Sequence, residues 1–170
     1  MVIRPTQTAD AHSMSRIYVQ TWQNTYLGVV PYDYLSTMSV AQHQEAFLNE
    51  LKSKQVISFV AEDAARVVGF ITGGNERKGD RIYSGEIYCL YVLKNHQRRG
   101  IGAKLVSALA SRLNQSGIYS MLVWVLKENP YRHFYEKING IYIQTHHMDV
   151  AGEMLDVTAY GWLDTSLIYK

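Results

Sequence analysis

The 170-residue sequence predicts an α/β (α+β) fold in a single domain spanning residues 1–170, and three observations carry that prediction. The apolar period is helical in the first third and strand-like in the middle. A strand at residues 86–93 runs through a glycine turn into an amphipathic helix and then a second strand at 120–126. Such a βαβ crossover makes its two strands parallel and right-handed. Hairpins on either side make the remaining pairs antiparallel, so the sheet is mixed and mostly antiparallel. The length suits one domain, which at this size hides roughly 70% of its unfolded surface.

The elements follow in the order β-α-α-β-β-β-α-β-α-β-β. Residues 2–4 read as a first strand, and Thr8 is placed to cap a helix. Met14, Tyr18, Trp22 and Tyr26 recur at helical spacing until Gly28 ends the run. Pro31 starts a second helical region reaching about residue 53. It is broken near Ser39, where Ser39 and Gln42 form a capping-box pattern. Phe47, Leu48 and Leu51 give that region its buried face.

Residues 56–62 and 66–72 are strands joined by the turn Asp63-Ala64-Ala65, and 73–81 is a polar loop. Ile101, Leu105, Leu109 and Leu113 mark a helix ending near Gly117. Residues 120–126 are continuously apolar, as a strand covered on both faces would be. Tyr131, Phe134, Tyr135 and Ile138 stand at i, i+3, i+4 and i+7 of a short helix ended by Asn139-Gly140. Residues 141–150 and 154–163 flank the turn Ala151-Gly152-Glu153.

Bulk properties narrow the function. A formal net charge of +2, with no basic run longer than Arg98-Arg99, gives no reason to expect a nucleic-acid partner. The single cysteine, Cys89, cannot form an internal disulfide and fits a reducing compartment. No apolar run reaches the ~18 residues of a membrane span. The N-terminus lacks an apolar signal core, so a cytoplasmic protein without a membrane partner is the expectation. The six histidines show no ligand spacing, so no metal is expected. Cys89 alternates away from Glu86 on its strand and lacks an activator, which argues against a thiol nucleophile.

The turn Gln97-Arg98-Arg99-Gly100-Ile101-Gly102 carries the most chemistry. A glycine turn opening a helix presents backbone N–H groups and a positive dipole end to an anion. Two arginines add charge. A P-loop would need Lys and Ser/Thr after its second glycine, and a Rossmann turn a third glycine. Neither fits.

The pattern Gln-x-x-Gly-x-Gly-Ala after a strand resembles the coenzyme A diphosphate loop of the GNAT superfamily of N-acetyltransferases, and the element order resembles that fold over essentially the whole chain. The run Asn129-Pro130-Tyr131-Arg132-His133-Phe134-Tyr135-Glu136-Lys137 resembles the family's Asn-x-x-Ala-x-x-Phe-Tyr-Glu-Lys motif. It departs from it in Tyr131 for alanine and in Ile138-Asn139-Gly140-Ile141 for Leu-Gly-Phe. The segments from Trp22 to Pro31 and from Tyr160 to Asp164 resemble one GNAT subgroup.

The resemblance implies acetyl-CoA as cosubstrate, with Gln97, Arg98, Arg99, Gly100, Ile101, Gly102 and Ala103 holding its diphosphate. It implies a splay between the two parallel strands, with Leu90, Tyr91 and Val92 tracking the pantetheine arm as a sheet edge pairs an added strand. Asn129, Tyr131, Arg132 and Phe134 fall on the cofactor side. It gives Tyr135 the role of proton donor to the thiolate and Glu86 that of base for the amine, with a water wire as the other route. Trp22 and Tyr26 either wall the amine pocket or belong to the core stripe. The implied activity is acetyl transfer to a primary amine by direct attack in a ternary complex. A catalytically silent acyl-CoA-binding sensor and a transferase for another acyl-CoA are the rivals. The acceptor, a small molecule or a peptide, is left open. So is a homodimer through the apolar tail Leu167-Ile168-Tyr169.

Overall fold

The computed structural model describes residues 1–169, the side chain of Tyr169 excepted. Strand β1 (Val2–Pro5) is followed by three helices: α1 (Ala11–Thr25), α2 (Tyr32–Thr37) and α3 (Val40–Lys52). Strands β2 (Val56–Asp63), β3 (Arg66–Asn75) and β4 (Gly85–Val92) come next. Helix α4 (Ile101–Gln115), strand β5 (Met121–Leu126), helix α5 (His133–Lys137) and the hairpin β6 (Ile141–Val150) and β7 (Glu153–Trp162) follow, with a 3-10 turn at Thr165–Tyr169 after them. The seven strands form one sheet in the order β1-β2-β3-β4-β5-β7-β6.

Every neighbouring pair is antiparallel except β4–β5. That parallel pairing covers Gly85–Ile87 against Met121–Val123 and goes no further. Beyond Ile87 the two strands separate, and the side of β4 facing β5 is left as a free edge. The expected splay is therefore present.

Two layers cover the sheet. On one face Ile101, Leu105, Leu109 and Leu113 of α4 are at most 1% exposed and pack on Ile71, Ile87, Met121 and Val123. Each such side chain contributes about 1.5–3 kcal/mol by leaving water. The helix sits so close that a Cβ at Gly73 would fall 2.7 Å from Leu109 Cδ2. On the other face, Met14 and Ile17 of α1 and Phe47 of α3 cover Val60 and Phe70. Trp22 and Tyr26 join Trp124 and Leu126 of β5 in a third cluster.

The expected break near Ser39 falls between α2 and α3, and the Ser39 hydroxyl accepts from the Gln42 N–H at 3.3 Å. The cap expected at Thr8 is not formed. Thr8 opens a 3-10 turn ahead of α1, and the Asp10 carboxylate accepts from the Gln7 N–H at 2.8 Å instead. Arg4 anchors that carboxylate through two hydrogen bonds, so a charged anchor does the work expected of a hydroxyl. In the apolar tail, Leu167 is half exposed while Ile168 packs on the α4-side core. The Tyr169 side chain lies outside the described residues.

Candidate active site

Where β4 and β5 part, the helix α4 N-terminus, the end of α1 and the α5 segment enclose a cleft of about 320 Å³. Its wall on the β4 side is Leu90, Tyr91 and Val92, which pair with β3 on one edge only. Gln97 Nε2 donates to the Val92 carbonyl at 3.0 Å and so pins the end of the strand to the loop that follows.

That loop is shaped to hold an anion. Arg98 (φ 61°) and Gly100 (φ 76°) are both left-handed, a sequence of turns that points successive N–H groups into one concavity. Gly100 is the residue before α4, and no side chain caps that helix. The N–H groups of Ile101, Gly102 and Ala103 fall in the first turn, where the helix has no acceptor for them. The positive dipole end adds to the field. Gln97, Arg98, Gly100, Ile101, Gly102 and Ala103 all line the cleft. The donor set and the two positive φ angles suit a diphosphate. A Cβ at Gly102 would stand 3.1 Å from the Phe134 ring, so the loop and the opposite wall are in close register.

Asn129, Tyr131, Phe134 and Tyr135 line the facing wall. Asn129 is a bridge: its Nδ2 donates to the Tyr26 hydroxyl and its Oδ1 accepts from the Tyr131 N–H, both at 2.8 Å. Tyr135 is 8% exposed. Its ring stacks on Tyr160 and meets Phe134 and Trp162 edge-on. Burial, with Tyr26 and Cys89 adding to it, pushes the Tyr135 phenol well above the ordinary tyrosine value. The hydroxyl is therefore protonated at neutral pH, and no described residue accepts its hydrogen bond. Burial pushes Tyr26 up as well, to about 12, against the lowering by Asn129.

Four residues expected at the site are placed elsewhere. Arg99 does not line the cleft; its Nη2 pairs with Asp63 Oδ2 at 3.2 Å on the β2–β3 hairpin. Arg132 is also absent from the lining; it is the residue that precedes the α5 segment, and its side chain reaches toward Tyr160. Trp22 lies behind Tyr26 in the aromatic cluster and donates from Nε1 to the Tyr91 hydroxyl at 2.9 Å. Glu86 is 2% exposed and lines no part of the cleft. Arg77 takes up its carboxylate, with Nη2 to Oε1 at 2.6 Å, Nε to Oε2 at 3.0 Å and the Arg77 N–H to Oε2 at 3.2 Å. The spacing of Glu86 to Val92 places the residue on the right strand, but the local partner comes from the β3–β4 loop, which no motif describes.

Conversely, Thr21 and Thr25, one turn apart on α1, line the cleft along with Pro130, His133 and Lys137. The i, i+4 threonines beside the aromatic stripe are the sequence signal that points to that wall. Cys89 is not in the lining, and burial pushes its thiol up to about 12, the reverse of thiolate activation. Among the described residues no three His, Cys, Asp or Glu side chains gather as a metal site. No helix among them is long and apolar enough to cross a membrane.

Comparison with known proteins agrees with this geometry. Residues 77–148 match the family model described as FR47-like protein. The chain is 31% identical to the uncharacterized N-acetyltransferase YuaI of Bacillus subtilis, over 99% of this chain and 96% of that protein. It is 27% identical to the probable N-acetyltransferase Rv2775 of Mycobacterium tuberculosis, over 79% and 76% of the two chains. In fold it is similar to the ribosomal-protein-alanine N-acetyltransferase of Brucella melitensis (TM-score 0.76, 20% identity, 95% and 99% covered). It is similar as well to yncA of Salmonella typhimurium, solved with acetyl-CoA (TM-score 0.75, 22% identity, 96% and 94% covered). Near-complete alignment with a curated relative, on a sheet that splays at its parallel pair above a left-handed glycine turn, makes this chain a member of the GNAT superfamily of N-acetyltransferases.

Proposed function

We propose that the protein transfers the acetyl group of acetyl-CoA to a primary amine by direct attack, with both substrates bound together. The observation that carries this reading is the position of Tyr135. Its buried phenol keeps its proton and faces a cleft whose far end is the anion loop at Gly100 and whose side is a free strand edge. Bound acetyl-CoA supplies the activated acyl carbon and the thiol leaving group. Arg98 and the first-turn N–H groups of α4 hold its diphosphate. The free edge of Leu90–Val92 orients the arm and offers a backbone donor to the acyl oxygen as charge develops there.

The amine nitrogen forms its bond to the acyl carbon as the C–S bond breaks. Tyr135 gives its proton to the departing sulfur and regains one from water, and the amine loses its proton to water. Glu86 is too far inside its pair with Arg77 to take that proton directly, so its part is to hold Arg77. Tyr26, fixed by Asn129, forms part of the cleft wall. The test is thiol release from acetyl-CoA by the purified chain across a panel of amines. Amine-dependent release supports the reading. If acetyl-CoA raises the melting temperature and yet no amine draws out thiol, the chain is a binder and the transferase reading falls.

A further inference from the structure

The mouth of the splay opposite α4 is framed by two aromatic rings, one on each strand. Tyr88 stands on β4 and Trp124 on β5, each one step past the last paired residues, Ile87 and Val123. Trp124 faces the α1 side with Leu126, Trp22 and Tyr26. This is the side from which an amine reaches the acyl carbon in the proposed reaction. Both rings carry a cation from one loop, residues 76–84 between β3 and β4. The Arg77 guanidinium lies 3.9 Å from the Tyr88 ring centroid. Lys78 Nζ lies 5.0 Å from that of Trp124.

The acids of the loop are not paired with Lys78. Glu76 spends its carboxylate on the backbone N–H groups of Lys78 and Asp80, at 2.8 and 2.7 Å. Asp80 spends its own on those of Ile82 and Tyr83. These bonds fix the loop and leave Lys78 with no acidic partner among the described residues. Arg77 is balanced by Glu86, with Glu50 of α3 adding to its field, and its Nη1 edge makes no hydrogen bond to a described residue. Beneath Lys78 the indole Nε1–H of Trp124 is buried with no acceptor. A buried donor without a partner is uncommon and calls for an explanation, which an incoming acceptor supplies. His146 of β6 covers the same indole, ring centroids 5.5 Å apart. The Lys78 ammonium, the outer edge of Arg77 and the Trp124 indole thus border the mouth through the two rings that frame it.

We propose that this loop selects an acceptor bearing a carboxylate close to its amine, an amino acid or a near analogue, with Lys78, the outer edge of Arg77 and the Trp124 indole binding the carboxylate. The inference rests on the acetyl-transfer reading above. Polyamines and aminoglycosides carry no carboxylate for these donors to hold, which separates them from amino acids. The same charges also favour the uncharged form of a nearby amine, because a cation beside an ammonium disfavours its proton. That effect supplies nucleophile without a carboxylate base, in keeping with the burial of Glu86.

The test uses matched acceptors in the thiol-release assay: L-leucine against isopentylamine, L-phenylalanine against 2-phenylethylamine, and spermidine. The expected result is a kcat/KM at least tenfold higher for each amino acid than for its decarboxylated partner, with spermidine poorest. Lys78→Gln reduces that ratio at least fivefold, and Lys78→Glu takes it below one. Trp124→Phe, which keeps the ring and removes the N–H, lowers it severalfold. Decarboxylated amines or spermidine used as well as the amino acids, or a ratio unmoved in Lys78→Glu, overturns the inference and leaves acetyl transfer standing. Thiol release by none of the amines overturns the acetyl-transfer reading and this inference with it.

Discussion

Arg77 grips Glu86 through both carboxylate oxygens, Nη2 to Oε1 at 2.6 Å and Nε to Oε2 at 3.0 Å, and its backbone N–H adds a third bond. The carboxylate is therefore part of the loop that borders the acceptor mouth rather than a free group in the cleft. Glu86→Gln is expected to lower kcat less than tenfold and to leave the acidic limb of the pH–rate profile in place. It is also expected to cost about 1–2 kcal/mol of stability, since a buried donor set loses its charged acceptor while Arg77 stays half in water. A loss of a thousandfold together with that limb would return Glu86 to the role of base.

Tyr135→Phe keeps the ring that stacks on Tyr160 and removes only the hydroxyl. General acid catalysis is worth about 10²–10⁴ in rate, so kcat is expected to fall by about that factor. Acetyl-CoA binding, read by calorimetry, is expected to change less than threefold. Undiminished turnover would remove Tyr135 from the reaction.

The sheet, the crossover helix and the glycine turn before it were legible because each rests on local rules: a period of two, a period of about 3.6, and glycine where φ is positive. Ile101, Leu105, Leu109 and Leu113 could be read as a buried stripe from spacing alone, and all four are buried. What spacing does not encode is the choice of partner across the chain. Arg99 reads as a cleft residue from the motif, but Asp63 lies within reach on the neighbouring hairpin and wins it. Glu86 reads as a free carboxylate until the β3–β4 loop brings Arg77 to it. The same holds for Asp10, which takes the capping role from Thr8 because Arg4 on β1 orients its carboxylate. Ion pairs whose partner lies outside the motif account for these three departures.

Gly100 is left-handed (φ 76°), and a Cβ there would meet nothing within 4 Å. Asp and Asn tolerate that conformation better than other residues, so Gly100→Asp and Gly100→Asn should both fold, each at a cost of about 1 kcal/mol. Their effect on acetyl-CoA is expected to differ. The aspartate places a negative charge against the diphosphate and should weaken binding at least a hundredfold, whereas the asparagine should weaken it by less than tenfold. Equal losses in calorimetric titrations would mean that the loop holds something other than an anion.

The β2–β3 hairpin turns at Ala64 (φ 48°) and Ala65 (φ 61°), both left-handed. Two positive φ angles in a two-residue turn suit Asn-Gly, and alanine there carries a steric cost. Ala65→Gly is expected to stabilise the chain by about 0.5–1 kcal/mol after its larger unfolded-state entropy is counted, a rise in Tm of about 2 °C. A lower Tm would show that the turn is not strained as its dihedrals indicate.

Stability should also fall on the alkaline side, for reasons that begin in the aromatic clusters. Burial raises Cys89 from its ordinary 9.0 to about 12 and Tyr26 from 10.0 to about 12. It raises Tyr18, Tyr91 and Tyr135 as well, and Lys127 is raised beside Asp156. All of these folded-state values lie above the unfolded ones. Below pH 9 both states hold these protons and the contribution is complete. Above it the unfolded chain releases protons that the folded chain keeps, so the slope of unfolding free energy with pH is negative. Counting Cys89 alone, two pH units above 9 cost about 3 kcal/mol, or roughly 5–10 °C in Tm. Thermal unfolding is therefore expected to be level from pH 7 to 9 and to fall steadily from 9 to 12. Cys89→Ala should delay the onset by about one pH unit, to where the tyrosines begin to titrate in the unfolded chain. A Tm that stays level to pH 11 would show that these side chains are far more open to water than the structure places them.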